Sequence, residues 1–176
     1  MLCLRERGIH FIITGGTIDS FYETTKDTVI PNKKSAIPQF VRSLKLSEKI
    51  EFTVVCMKDS REILKTDLKI ILDVLKKSHY QKIIITHGTY TMPDTSRFLK
   101  ANLKRKDQTI IITGSMIPLL GFSPSDGPFA IGYAIAKVQD LKRGIYVCMN
   151  GMVFSPEEVM KVNKEGRFTS IFGEST

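Results

Sequence analysis

The sequence predicts an α/β fold of three layers, a mostly parallel sheet with helices on both of its faces. Two observations carry this. The apolar runs Phe11-Ile12-Ile13, Ile83-Ile84-Ile85 and Ile110-Ile111-Ile112 show no polar alternation, as expected of strands buried on both faces. Segments with helical spacing lie between the runs, so strand and helix alternate along the chain. That alternation is the pattern of flavodoxin-like and Rossmann-like sheets, where ligands bind beyond the carboxyl ends of the strands.

Each element has its own justification. A first strand near 9–14 leads into a polar loop with Tyr22, Glu23, Thr24, Thr25, Lys26 and Asp27. This loop exceeds the usual few residues, which is typical of lids and binding loops. A helix around 35–45 and a strand around 50–57 follow. Over 66–79, Leu68, Ile71, Leu72 and Leu75 recur at helical spacing, with Asp67 in the first turn and lysines in the last. A strand at 82–86 precedes a helix from about 93 to 105 whose apolar face offers Phe98, Leu99 and Leu103. The strand at 109–113 ends in a Gly114 turn and a Pro/Ser/Gly-rich loop. Ser125-Asp126-Gly127-Pro128 then opens an Ala-rich helix over 129–141, whose small side chains suit close packing on the sheet. A strand at 145–149 turns at Asn150-Gly151 into 152–154, predicting a terminal β-hairpin. No linker or second composition zone interrupts the chain, so a single domain over 1–176 is expected.

Composition excludes several function classes. No apolar stretch reaches membrane-spanning length. The opening residues Met1 to Arg7 contain no apolar core of a secretory signal, so a cytoplasmic location is expected. Cys3, Cys56 and Cys148 are odd in number and widely spaced, which argues against a disulfide framework or a zinc site. The net charge is +8, but Lys33-Lys34, Lys76-Lys77 and Lys104-Arg105-Lys106 are scattered over helix surfaces and ends, without interleaved aromatics. A solvated surface is expected and no nucleic-acid partner.

The three apolar runs all stop at Thr–Gly turns: Thr14-Gly15-Gly16-Thr17-Ile18, Thr86-His87-Gly88-Thr89 and Thr113-Gly114-Ser115-Met116. Glycine lets backbone approach a ligand closely, and threonine supplies a hydroxyl that can attack or donate. Together they predict one active-site edge.

These motifs, with Ser125-Asp126-Gly127-Pro128 and Val159-Met160-Lys161-Val162-Asn163, occur in the order seen in the bacterial-type L-asparaginase/glutaminase family, which the chain resembles over nearly its whole length. It resembles the catalytic N-terminal part of that family, without the second, smaller domain. The resemblance implies hydrolysis of the side-chain amide of L-asparagine, or a related small amide, to acid plus ammonia through a threonine acyl-enzyme. It places Thr17 as nucleophile, Thr89 and Lys161 as its proton relay, and Ser60 on the substrate's α-carboxylate. It also offers Tyr22 as the activating tyrosine, and it implies a homodimer or larger oligomer. Gly16, Gly88, Asp59 and Tyr90 complete the expected substrate-binding set. No cofactor and no metal are implied.

Elementary chemistry agrees with these roles. A threonine hydroxyl needs a neighbour to take its proton. Lysine serves only as a free amine, so burial or nearby cations must lower its pKa. Backbone N–H groups beside the glycines can hold an oxyanion, each donor contributing about 3 kcal/mol. His87 is expected to orient its turn. One departure stands out: the family reads His-Gly-Thr-Asp-Thr where this chain has His87-Gly88-Thr89-Tyr90-Thr91. By resemblance, the absent aspartate would face the substrate's α-ammonium. Either Tyr90 is a tolerated variant within a working asparaginase branch, or Asp59, Glu62, Asp94 or Asp126 compensates, or the substrate lacks that amine. Arg61 either grips an acidic group or is simply exposed. The alternative function is a catalytically weak or inactive ligand-binding domain that kept the pocket.

Overall fold

The computed structural model describes residues 6–173; the opening segment with Cys3, and the last three residues, lie outside them. Along these residues run β1 (Glu6–Gly15), β2 (Ser20–Glu23), β3 (Thr28–Pro31), α1 (Ile37–Ser43), β4 (Ile50–Lys58), α2 (Lys65–Lys77) and β5 (Tyr80–Thr86). They continue with α3 (Met92–Asn102), β6 (Thr109–Thr113), α4 (Gly127–Asp140), β7 (Gly144–Met149), β8 (Met152–Phe154), β9 (Val159–Val162) and β10 (Arg167–Ser170). The main sheet has the order β4-β1-β5-β6-β7-β8. Its pairings are parallel except β7 with β8, the antiparallel hairpin expected at Asn150-Gly151. The predicted three-layer α/β class is the one observed.

The isoleucine runs explain the layers. Ile12, Ile85, Ile112 and Val147 stand side by side across four strands. They pack with Ile71, Leu72 and Leu75 of α2 and Met92 and Leu99 of α3. The intervening row of Phe11, Ile84 and Ile111 faces the opposite way, against Ile37 and Val41 of α1 and Ile131, Ala134 and Val138 of α4. Because side chains alternate along a strand, one continuous apolar run supplies both cores.

Three segments differ from expectation. The polar loop after β1 contains the antiparallel pair β2–β3, closed by a turn in which Asp27 takes φ 49°. Helix α1 is short, with Lys45 already at φ 50° two residues past its end. Helix α3 stops at Asn102, and extended Leu103 turns into the core. The undecided tail contributes β10, which pairs with β9 in a hairpin outside the main sheet. No helix among the described residues is long and apolar enough to cross a membrane.

The topology also fixes where a ligand would sit. After β1 the chain adds β4 on one side, then crosses back to add β5 on the other. Strand order therefore reverses between β1 and β5, and such a switch point opens a crevice beyond the carboxyl ends of the two strands. Those ends carry the turns at Gly16-Thr17 and Gly88-Thr89. The framework depends on the central rows. Replacing fully buried Ile84 by Ala should cost about 2–5 kcal/mol. Ile70→Ala on the exposed face of α2 should stay within about 0.5 kcal/mol. Urea denaturation of the two variants checks the contrast.

Candidate active site

Three turns meet at the crevice, and two glycines let them meet. Gly16 has φ 79°, and a Cβ there would lie 2.3 Å from Gly88 N. At Gly88 a Cβ would lie 2.6 Å from Ser60 Cβ and 2.7 Å from Ser60 Oγ. No side chain fits at either position without moving backbone. The β1, β4 and β5 turns are thus packed backbone to backbone, with Thr17, Ser60 and Thr89 adjacent to the contact.

The turn after β1 is held from several sides. Gly16 N donates to Lys58 O at 2.8 Å, and Ser20 Oγ donates to Gly16 O at 2.7 Å. Asp19 is fully buried, and its Oδ1 accepts from Asn32 Nδ2 at 3.0 Å and Ala36 N at 2.8 Å. The end of the β2–β3 hairpin and the entry to α1 are thereby strapped to the segment carrying Thr17. Nothing in the composition singled out Asp19; an acidic residue directly after an apolar run was the available signal. Thr17 itself is half-buried, and among the described residues its hydroxyl has no hydrogen-bond partner.

His87 organises the second turn. It is fully buried, and its Nδ1 lies 2.8 Å from Gly88 O, which only accepts. Nδ1 therefore carries the proton, and Nε2 accepts from Thr95 Oγ1 at 3.0 Å. Burial pushes the His87 pKa down to about 4, so the ring stays neutral as a structural strut. Gly114 seats against the same turn, since a Cβ there would lie 2.3 Å from His87 O. The third Thr–Gly motif thus buttresses His87. Asp126 accepts from Met116 N and Ile117 N at 2.8 and 2.9 Å, closing that loop.

The third turn caps itself. Asp59 Oδ1 accepts from Arg61 N at 2.8 Å and Arg61 Nε at 3.0 Å, while Oδ2 accepts from Nη2 at 2.9 Å. Ser60 is buried, with Thr91 Oγ1 donating to its carbonyl at 2.8 Å. The Arg61 guanidinium lies 5.9 Å from the centre of the exposed Tyr90 ring.

Lys161 arrives from β9, which Val159 anchors in the core and Arg97 Nη2 holds by donating to Val159 O at 2.8 Å. Its Nζ lies 2.8 Å from Thr89 Oγ1, spanning 72 residues of sequence. The Lys161 pKa is lowered, first by burial and then by the Arg61 cation, against an opposing pull from Asp59. Lys161 and Tyr90 also line a cavity of about 310 Å³ together with Pro93, Asp94, Arg97 and Met160.

Of the residues picked from sequence, Gly88 therefore abuts both Gly16 and Ser60, Thr89 bonds Lys161, and Asp59 reaches Tyr90 through Arg61. Tyr22 stands apart. It is exposed on β2, its hydroxyl donates to Asp27, and that bond raises its pKa. Among the described residues, neither Cys56 nor Cys148 competes as nucleophile, because burial pushes Cys56 up to about 11 and Cys148 up to about 12.

A parallel α/β sheet with hydroxyls, packed glycines and a half-buried lysine at its switch point defines an enzyme-like class of domain. Comparison with known proteins narrows it. Residues 8–171 match the family model "Asparaginase, N-terminal", and the chain belongs to the asparaginase family. It is 28% identical over 166 residues to L-asparaginase 2 of Bacillus subtilis, covering 88% of this chain and 44% of that protein. It is 36% identical over 92 residues to a glutaminase-asparaginase of Acinetobacter glutaminasificans, covering 51% and 27% respectively. The thermostable L-asparaginase of Thermococcus kodakarensis superposes with a TM-score of 0.78 at 28% identity, over 93% of this chain and 51% of that one. The chain spans about half the length of these relatives, or less.

His87 makes a measurable signature. Its unperturbed pKa of 6.5 falls to about 4 in the fold, so between those values the unfolded chain binds a proton that the folded one does not. Folding stability should fall by about 3 kcal/mol as pH drops through this window. Denaturant titrations at stepped pH should show that slope in the wild type and its loss in His87→Gln.

Proposed function

We propose that this chain is the catalytic domain of an amidohydrolase that cleaves the side-chain amide of L-asparagine or a related small amide through a threonine acyl-enzyme. In this reading, Thr17 Oγ attacks the amide carbon as its proton passes to the Thr89–Lys161 pair. The oxyanion is met by backbone N–H groups of the Gly16 and Gly88 turns. Collapse breaks the C–N bond, and Lys161 returns the proton to the departing ammonia. Water then attacks the ester, giving the acid and restoring the Thr17 hydroxyl.

The observation that carries this reading is the 2.8 Å contact of Lys161 Nζ with Thr89 Oγ1, in a turn that packs directly on the one holding Thr17. A lysine with a lowered pKa beside a hydroxyl is the proton acceptor that a threonine nucleophile requires. Family membership over residues 8–171 supports the same chemistry. A second reading, a ligand-binding domain without turnover, draws on Tyr22, whose hydroxyl is bound to Asp27 instead of a reacting group.

Ammonia release from L-asparagine, L-glutamine and small amides separates the two. The wild type should turn over at least one of them, and Thr17→Ala should lose about a thousandfold or more in kcat. Equal rates would remove Thr17 as nucleophile, and no release from any amide would favour the binding domain. The wild-type rate should rise with pH as Lys161 loses its proton. Arg61→Gln removes a cation that lowers the lysine pKa and releases Asp59, which raises it. The midpoint of the rising limb should therefore move to higher pH in that variant.

A further inference from the structure

We propose that Arg61, fixed by Asp59 and laid over Tyr90, makes this site select small amides that carry a carboxylate and no α-ammonium, the monoamides of dicarboxylic acids. For turnover the inference rests on the hydrolytic reading above; for binding it stands alone.

A ligand beside Thr89 and Lys161 would meet charges from only a few side chains among the described residues. Two side-chain charges act on Lys161: the Arg61 cation and the Asp59 carboxylate. Asp59 is occupied, since both its oxygens accept from Arg61, three hydrogen bonds in all. An incoming ammonium would have to compete with a guanidinium that already holds this carboxylate bidentately. Tyr90, next in sequence to Thr89, offers a ring face and a hydroxyl but no anion. Asp94 lines the same cavity and is paired with Arg97 at 3.3 Å. Glu62 is exposed, and its charge acts on Arg61. An α-ammonium would thus approach Arg61 and Lys161 with the carboxylate that acts on Lys161 already held by Arg61.

A carboxylate meets the reverse situation. Guanidinium carries five N–H groups, and the Asp59 pairing uses only Nε and one Nη2 hydrogen. The outer edge, with both Nη1 hydrogens and the second on Nη2, is left for a ligand. The Arg61 side chain is 67% exposed, so that edge is accessible, and the guanidinium carbon lies 5.9 Å from the centre of the Tyr90 ring. A carboxylate at one end of a short chain whose other end is the amide would take that edge. The reaction balances as hydrolysis: the amide C–N bond breaks, a C–O bond to water oxygen forms, and ammonia leaves with the proton, giving the dicarboxylate.

Calorimetry of the chain with succinate and with L-aspartate tests the selection, alongside kcat/KM for succinamate and L-asparagine. Wild type should bind succinate at least tenfold more tightly than L-aspartate. Arg61→Gln should abolish the preference by weakening succinate, and Tyr90→Asp should invert it by strengthening L-aspartate. Both side chains are exposed, so unchanged thermal unfolding of the variants is expected and shows that the fold is kept. Equal or tighter binding of L-aspartate by wild type overturns the proposal. So does a preference that survives Arg61→Gln, or the absence of binding by either acid at millimolar concentration. If succinate is preferred but neither amide is hydrolysed, the hydrolytic reading fails and the selection stands. If L-asparagine is hydrolysed with the higher kcat/KM, the selection fails and the hydrolytic reading stands.

Discussion

Everything at the crevice depends on two backbones touching where a side chain would ordinarily intervene. Gly16 and Gly88 abut with no room for a Cβ on either, and Ser60 closes the third side. Any other residue at these positions would spread the carboxyl ends of β1 and β5, because backbone cannot yield as a flexible side chain does. The surrounding structure resists that spread. Asp19 ties the Thr17 turn to the hairpin and α1, and the neutral His87 ring fills the space behind the other turn. The site is rigid because its hydroxyls are carried on turns packed directly against one another.

Chemistry then enters from outside the sheet. The β9–β10 hairpin joins no main-sheet strand, yet Val159 and Phe168 are buried beneath it and bring Lys161 to Thr89. Burial and Arg61 both disfavour the protonated amine, and Asp59, itself paired with Arg61, opposes them. One ion pair thus adjusts the lysine and at the same time sets the charge that a ligand meets. In the proposed reading, tuning of the lysine and choice of substrate are coupled through Arg61.

The fold was legible wherever burial leaves a periodic trace. Isoleucine runs flanked by amphipathic segments read directly as sheet and helices, and Asn150-Gly151 read as a hairpin. The β2–β3 pair was not legible, because Phe21 and Tyr22 are both exposed and no alternation results. Strands β9 and β10 are four residues each, too short for a pattern to rise above chance. For the site, the glycine–threonine turns announced the edge, and resemblance supplied Ser60 and Lys161. The stacking of Arg61 on Tyr90 and the strap at Asp19 join residues 29 and 13 or more positions apart, and only the folded chain brings them together. Tyr22 lies five residues past Thr17 in sequence, and in the folded chain the β2–β3 hairpin directs its hydroxyl to Asp27.

The central claim is that Lys161 is held at Thr89 in a setting that strips its proton more readily than water would. The direct measurement is an NMR titration of the Lys161 side chain, with its resonance assigned by loss in Lys161→Arg. The account predicts a midpoint clearly below those of the surface lysines in the same spectrum. A Lys161 that titrates together with them, or above them, would contradict it.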